Sequence, residues 1–344
     1  MNDVRWDSPL WVGFVRWFIG VLFGSFAAVF LFIVVTDPFD RGHGFALVSP
    51  GILDASPRTA NVSRGRDPRF DAAVIGNSHA QLLEPERLFS STGFRFTQMS
   101  TPATGPREQV VLLGWFMRHH ADIKALVMGI DATWCGQYVK PALSSPFPFW
   151  LYGDDLDYVT HVFGARSLTY GWRRILITMG RSLVTDPAGY WNYEIGREWD
   201  LRPFHPMLAE RAPVDVTPVA APDLQFPSLD TLESALTPLP ASAQVVLVMP
   251  PVFYTVLPVA GTPAMHQMAG CKYELVRRAA VHGWKFVDFY SDTPLSRDPE
   301  NFWDFDHVRM PVARRMEDRI AEELSHLSQA GGLDPADGMA SALR

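Results

Sequence analysis

The chain has 344 residues, 47% of them hydrophobic and 19% charged, with a formal net charge of −7. That length can bury a substantial core, and the acidic balance excludes a phosphate-neutralising, nucleic-acid-binding protein. Two cysteines, Cys135 and Cys271, are too few for a structural zinc site or a disulfide-rich scaffold. They are a pair if the domain lies outside the cytoplasm, and otherwise two buried thiols.

Trp17 to Thr36, WFIGVLFGSFAAVFLFIVVT, carries no charge over twenty residues. It is long enough to cross a bilayer as a helix, and no small-residue cleavage site follows it. Residues 1–36 are therefore expected to form an uncleaved signal anchor, a single N-terminal transmembrane helix. Trp11 and Trp17 suit one membrane interface. Arg5 and Arg16 precede the span, while Asp37 and Asp40 follow it beside Arg41. The positive-inside rule then puts the N-terminus in the cytoplasm and the remainder outside. Residues 37–69 are rich in Pro, Gly, Ser and Arg without an apolar period, and read as a stalk or linker.

Beyond residue 70, short apolar runs alternate with helical patterns. Ala72–Ile75, Phe94–Met99, Ala125–Ile130, Gln244–Met249 and Trp284–Tyr290 read as strands. Arg107–His120, Ala264–His282 and Pro311–Leu327 read as helices. This pattern predicts an α/β three-layer sandwich, with a five-stranded parallel sheet covered on both faces. The stretch 135–243 is far longer than one crossover needs. It reads as an aromatic-rich insertion, helical near Ala165–Val184, that walls the site, forms a partner surface or packs a subdomain core. Residues 70–328 make the expected catalytic domain, and 329–344 an expected disordered tail.

The first strand runs into Gly76-Asn77-Ser78-His79. Ligands of parallel α/β sheets bind beyond the carboxyl ends of the strands, which puts Ser78 at the functional edge. Gly76 suits a tight turn there. At the start of a helix, backbone N–H groups and the dipole favour an oxyanion; the plainer role for Ser78 is to cap that helix. Trp303-Asp304-Phe305-Asp306-His307 follows the fifth strand, on the same edge. A hydroxyl nucleophile needs a base and the base needs an orienting acid. Asp304, three residues before His307, supplies that acid, with Asp306 as the rival. His119 and His120 end a helix and are read as structural. His161, His205, His266 and His282 show no metal spacing. The sequence has neither a P-loop nor a dinucleotide fingerprint, so neither a cofactor nor a metal is expected.

These blocks resemble the SGNH (GDSL-like) esterase and acyltransferase superfamily, whose sheet is flavodoxin-like. Gly76-Asn77-Ser78-His79 is similar to its first block and Asp304-x-x-His307 to its last. The resemblance implies Ser78 as nucleophile, His307 as general base and Asp304 as its partner, with Asn77 and His79 beside them. It assigns Gly105 as an oxyanion N–H donor. Asp131 stands where the family has an oxyanion-binding Asn, and an ionised carboxylate cannot donate. The anchor, the strand ending in Pro250-Pro251 and the late Asp-x-x-His look like membrane-anchored cell-envelope O-acyltransfer proteins, of the alginate O-acetylation and teichoic-acid D-alanylation type. That likeness implies an acyl-serine intermediate and a polysaccharide acceptor. It also implies a multi-pass membrane-bound O-acyltransferase as acyl donor, at a bacterial inner membrane with the catalytic domain periplasmic. A carbohydrate esterase or lipase, and a silent glycan-binding or scaffold module, are the rival readings.

Overall fold

The computed structural model describes residues 9–42, 45–52, 56–136, 146–181, 186–202, 204 and 211–330. Helix α1 (Pro9–Thr36) is followed by α2 (Pro57–Arg64), β1 (Ala72–Ile75), α3 (Pro85–Thr92), β2 (Phe96–Gln98), α4 (Pro106–His119) and β3 (Ala125–Gly129). Three helices come next: α5 (Phe149–Tyr152), α6 (Asp155–His161) and α7 (Ala165–Thr178). The chain then returns to the sheet through α8 (Pro227–Leu236), β4 (Gln244–Met249), α9 (Pro263–His282), β5 (Lys285–Asp288), α10 (Pro294–Arg297) and α11 (Met310–Ala330).

The expected five-stranded sheet is present, all parallel, in the order β2-β1-β3-β4-β5. β1, β2 and β3 are buried at every position, and β4 everywhere but at its first residue. Strands covered on both faces need continuous apolar runs rather than alternation, and AAVI, ALVMG and VVLVM supply them. Helices α3 and α11 pack together on one face, and α4 packs with α8 on the other. A Leu→Ala change in such a core costs about 2–5 kcal/mol, and Leu112, Leu126 and Leu324, all fully buried, are positions of that kind.

Helix α1 is long and apolar enough to cross a membrane over Leu10–Thr36. It stops where Asp37, at a φ of 38°, precedes Pro38; a residue before proline is driven out of the helical region. The segment expected as a stalk, 37–69, is instead packed onto the domain. Its helix α2 buries Ala60, Asn61 and Val62, and its charges are consumed internally. Arg174 of α7 is buried and donates to the carbonyls of Thr36 (2.9 Å) and Asp37, to Asp40 Oδ1 (2.9 Å) and to the Ser49 carbonyl (2.8 Å). Arg66 reaches the same Asp40 oxygen at 2.7 Å. Cations at a helix C-terminus satisfy its last carbonyls and oppose its negative dipole end, so Arg174 fixes where α1 leaves the domain.

The expected insertion ends earlier than residue 243, because α8 packs on α4 as an ordinary member of the helical layer. Residues 137–145, 182–185, 203 and 205–210 of this region, and the tail from 331, lie outside the described residues. Cys135 and Cys271 form a disulfide with their Cα atoms 5.4 Å apart. It ties the turn after β3 to α9.

Candidate active site

Five loops meet at the carboxyl ends of the strands, among them Ala103–Thr104 beyond β2. Gly76–His79 follows β1, Asp131–Thr133 follows β3, Pro250–Val252 follows β4, and the 302–308 loop lies beyond β5. Together they line a cavity of about 320 Å³ that includes Ser78, His79, Asp131, Tyr290, Asp306 and His307. The connections from β1 depart to β2 on one side, while β3 lies on the other. The cavity therefore sits at a topological switch point, where α/β sheets open a crevice.

Close packing explains the two glycines here. A Cβ on Gly76 would meet Ala80 Cβ at 3.0 Å and Gly129 Cα at 3.4 Å, and a Cβ on Gly129 would meet the same Ala80 Cβ at 3.0 Å. Gly76 is thus required by the approach of β1 and β3, and its φ is not positive, so no left-handed turn is involved. After it comes one 3-10 turn, Ser78–Ala80, in place of the expected longer helix, and α3 begins only at Pro85. The helix-dipole support expected for Ser78 is correspondingly reduced. Asn77, not Ser78, caps this turn: its Oδ1 accepts from the His79 N–H at 3.1 Å. The Ser78 hydroxyl is left for another partner.

That partner is His307. Its Nε2 lies 2.8 Å from Ser78 Oγ. Its Nδ1 lies 2.9 and 3.0 Å from the two oxygens of Asp304. Asp304 Oδ1 also accepts the backbone N–H groups of Asp306 (3.0 Å) and His307 (2.8 Å), which closes the loop around the imidazole. Asp306 approaches the same Nδ1 at 3.0 Å, and its other oxygen lies 3.5 Å from His79 Nε2. Both aspartates weighed from the sequence therefore touch the ring, with Asp304 the better hydrogen-bonded of the two. Burial opposes the charge on His307, but the hydrogen bonds to Asp304 and Asp306 outweigh it and push its pKa up to about 10. Burial likewise opposes ionisation of Asp306, yet bonds from His307 and His79 hold its carboxyl well below the usual range. Ligand atoms of His79, Asp306 and His307 lie within 4.8 Å of one another, a spacing that could hold a metal ion. Both nitrogens of His307 are already engaged by Ser78 and the aspartates.

Two expected oxyanion residues are placed differently. The Gly105 N–H donates to Glu108 Oε2 at 3.0 Å, as the reciprocal half of a cap on α4, and Gly105 does not line the cavity. Its N–H is committed to its own helix. The signal was in the sequence: Gly105-Pro106-Arg107-Glu108 has a capping-box spacing with Pro at the first helical position. Asp131 accepts from Asn77 Nδ2, from the Thr133 N–H (3.0 Å) and from Thr133 Oγ1 (2.5 Å). It acts as an acceptor that holds Asn77 in place. The cavity wall near Gly105 is made instead by Ala103 and Thr104, and Ala103 has a left-handed φ of 53°. Such a conformation costs a non-glycine residue about 1–2 kcal/mol, and strain of this kind clusters at functional loops.

The aromatic stretch around Tyr193 does not line the cavity among the described residues; it braces the His307 loop from behind. Tyr193 Oη donates to the Val308 carbonyl at 2.6 Å, and its ring meets His307 edge-on at 6.3 Å. Trp199 Nε1 donates to the Phe302 carbonyl at 2.9 Å, and Trp303 Nε1 donates to Glu194 at 2.7 Å. Sequence reasoning offered this stretch as a wall of the site but missed these contacts, because bonds across more than a hundred positions leave no local pattern. The helix-ending His119 and His120 bond to backbone carbonyls one turn earlier, at 2.8 and 2.9 Å.

No protein-family model matches the chain, and no curated protein matches it. Among solved structures, a gut microbial diltiazem-metabolizing enzyme is similar at 10% identity, with a TM-score of 0.34. The alignment covers 74% of this chain and 47% of that one, so the chain spans about half of that enzyme's length.

Proposed function

We propose that this chain is a membrane-anchored serine acyl-transfer enzyme of the SGNH type, with Ser78 as nucleophile, His307 as base and Asp304 as orienting acid. The observation that carries the reading is the 2.8 Å contact of Ser78 Oγ with His307 Nε2, backed by Asp304 on Nδ1. Neutral His307 takes the Ser78 proton as Oγ attacks the carbonyl of an ester or thioester. The tetrahedral oxyanion is held by the Ser78 N–H and by backbone of the Ala103–Thr104 wall. Its collapse expels an alcohol or thiol, which takes the proton from His307, and leaves acyl-Ser78. In the second half His307 takes the proton of the acceptor hydroxyl as its oxygen attacks the acyl carbonyl; collapse breaks the bond to Ser78 Oγ, which regains the proton from His307.

The acceptor proposed is a hydroxyl of a cell-envelope or exported polysaccharide, and the acyl donor is delivered by a multi-pass membrane-bound O-acyltransferase. Both come from the resemblance of the Ser78 and His307 blocks to anchored envelope proteins. An extracytoplasmic position is supported by the Cys135–Cys271 bridge, since disulfides persist in oxidising compartments. Together with α1, it supports an anchored domain on the oxidising side of a membrane; the bacterial inner membrane with the sheet domain periplasmic comes from the same resemblance. A hydrolytic esterase is the second reading, favoured by the 30% side-chain exposure of His307, which admits water to the acyl-serine.

Full-length protein in detergent, given an activated acetyl ester with and without an acidic polysaccharide, separates the two. Acetylated glycan at the expense of free acetate supports transfer. Acetate release unaffected by glycan supports the esterase. Neither product, with a membrane acyltransferase present as well as absent, argues against both.

A further inference from the structure

The region around α6 and α7 exposes apolar side chains that the acyl-transfer reading does not use. Leu156, Val159 and Phe163 stand on and just past α6 at helical spacing, with Leu156 74% exposed. Trp172 of α7 is 57% exposed, and Phe45 and Leu47, in the turn after α1, are 75% and 79% exposed. Phe45, Val159 and Phe163 line one recess, Leu156 continues it along α6, and Trp172 stands on α7, the helix packed against α1; soluble surfaces rarely gather large apolar side chains without an interaction partner.

This patch is continuous with α1. Phe30 of α1 stacks on Phe163 with ring centroids 6.1 Å apart. An apolar recess of about 200 Å³ lies between α1 and α6, walled by Phe30, Val34, Phe45 and Val159. Position along α1 fixes the depth. From Leu10 to Leu31 its side chains are mostly exposed, and from Ile33 they become buried against the domain. At 1.5 Å per residue the exposed part is roughly 33 Å long, close to the ~30 Å of a hydrocarbon core, with Arg16 near enough to its N-terminal end for the side chain to reach the interface. The bilayer boundary therefore falls near Phe30, where Phe163 touches it. Close packing holds the orientation: Gly171 of α7 lies against Phe32 and Thr36, where any Cβ would meet them at 2.6 Å, and Arg174 clamps the end of α1.

We propose that α6, α7 and the Phe45–Leu47 turn form a monotopic surface that binds bilayer lipid at the head-group boundary of the membrane crossed by α1. Apolar side chains with an indole among them suit that depth. The consequence for the enzyme is a fixed tilt and height of the sheet domain over the membrane, rather than free motion on a tether. The inference rests on α1 spanning the bilayer, and not on the chemistry of Ser78.

The native cysteines are bonded to each other, so an introduced cysteine can be labelled alone. Full-length Leu156→Cys and Trp172→Cys, each carrying a nitroxide, are reconstituted as separate samples in phosphatidylcholine nanodiscs large enough for two copies. Spin relaxation is read with oxygen and with a water-soluble nickel complex. Phe23→Cys on α1 reports the bilayer interior and the exposed Ser234→Cys on α8 reports bulk water. The proposal expects an oxygen-to-nickel ratio at 156 and 172 several-fold above that at 234 and below that at 23. Ratios at 156 and 172 equal to that at 234, with 23 deep, overturn it while leaving the anchor intact. A ratio at 23 equal to that at 234 overturns the anchor and the proposal together. Dipolar broadening between labels at 172 assigns the face to a second copy and likewise overturns lipid binding. Both labelled positions are exposed, so two independent variants guard against one that fails to fold.

Discussion

Two clusters in this molecule place a cation between two aspartates, and they differ in which cation is used. At the foot of α1, Arg174 faces Asp37 at 3.8 Å and Asp40 at 2.9 Å, all three nearly inaccessible to solvent. In the sheet crevice, His307 faces Asp304 and Asp306 at 2.9 and 3.0 Å, with its side chain 30% exposed. A guanidinium stays protonated whatever its surroundings, so the first cluster is a permanent lock. An imidazole can give up its proton, so the same arrangement in a half-open crevice becomes a base whose strength its neighbours set. Similar electrostatics thus yield a joint in one place and a candidate reaction centre in the other.

The comparison is broken first by exchanging what each cluster loses. His307→Gln keeps much of the side chain's volume and removes the base; Ser acylation should fall on the order of 10⁴-fold or more, with the protein still folded but its melting temperature lowered most below pH 6.5, where the charged His307 contributes its stability in full. Arg174→Met should do the reverse. Deleting one partner of a buried ion pair costs about 3–5 kcal/mol, so denaturant unfolding should show that loss while acylation per folded molecule is retained. If the arginine variant loses acylation while still folded, or the histidine variant keeps its rate, the division of labour is wrong.

A smaller effect sharpens the account of the base. His307 is raised from its ordinary 6.5 to about 10, so it holds a proton at neutral pH and the acylation rate should climb as pH rises toward that value. The linkage runs the other way for stability. A group whose folded pKa is raised contributes stability that is complete below 6.5 and is lost as pH rises through about 10. Asp306→Asn removes one raising partner, and the rate limb should move to lower pH, as read from a pH–rate profile corrected with Ser78→Ala. An unmoved limb would assign the tuning to Asp304 alone. Smaller still, Ala103→Gly relieves the left-handed strain at φ 53° and should change stability by less than about 1 kcal/mol. Acylation should fall through loosening of the oxyanion wall.

Legibility in the sequence followed the range of the interactions. β1 was readable to the residue, and β4 equally so, because buried parallel strands are unbroken apolar runs closed by Gly or Pro. Ser78 and His307 were readable because strand ends of a parallel sheet converge. The stalk reading of 37–69 failed for the opposite reason: Asp40 and Arg66 look solvated until Arg174, more than a hundred residues later, is folded onto them. The contacts of Tyr193 and Trp199 were hidden likewise. Gly105 was misplaced by following a family block rather than the local cap to Glu108.

The most direct test of the acyl-serine claim is peptide-level mass after brief exposure of the full-length protein to an activated acetyl ester at alkaline pH. A single acetyl group on the peptide that contains Ser78, absent from Ser78→Ala and slowed in His307→Gln, is the predicted result. Acetylation elsewhere, or adduct formation indifferent to either substitution, would contradict it.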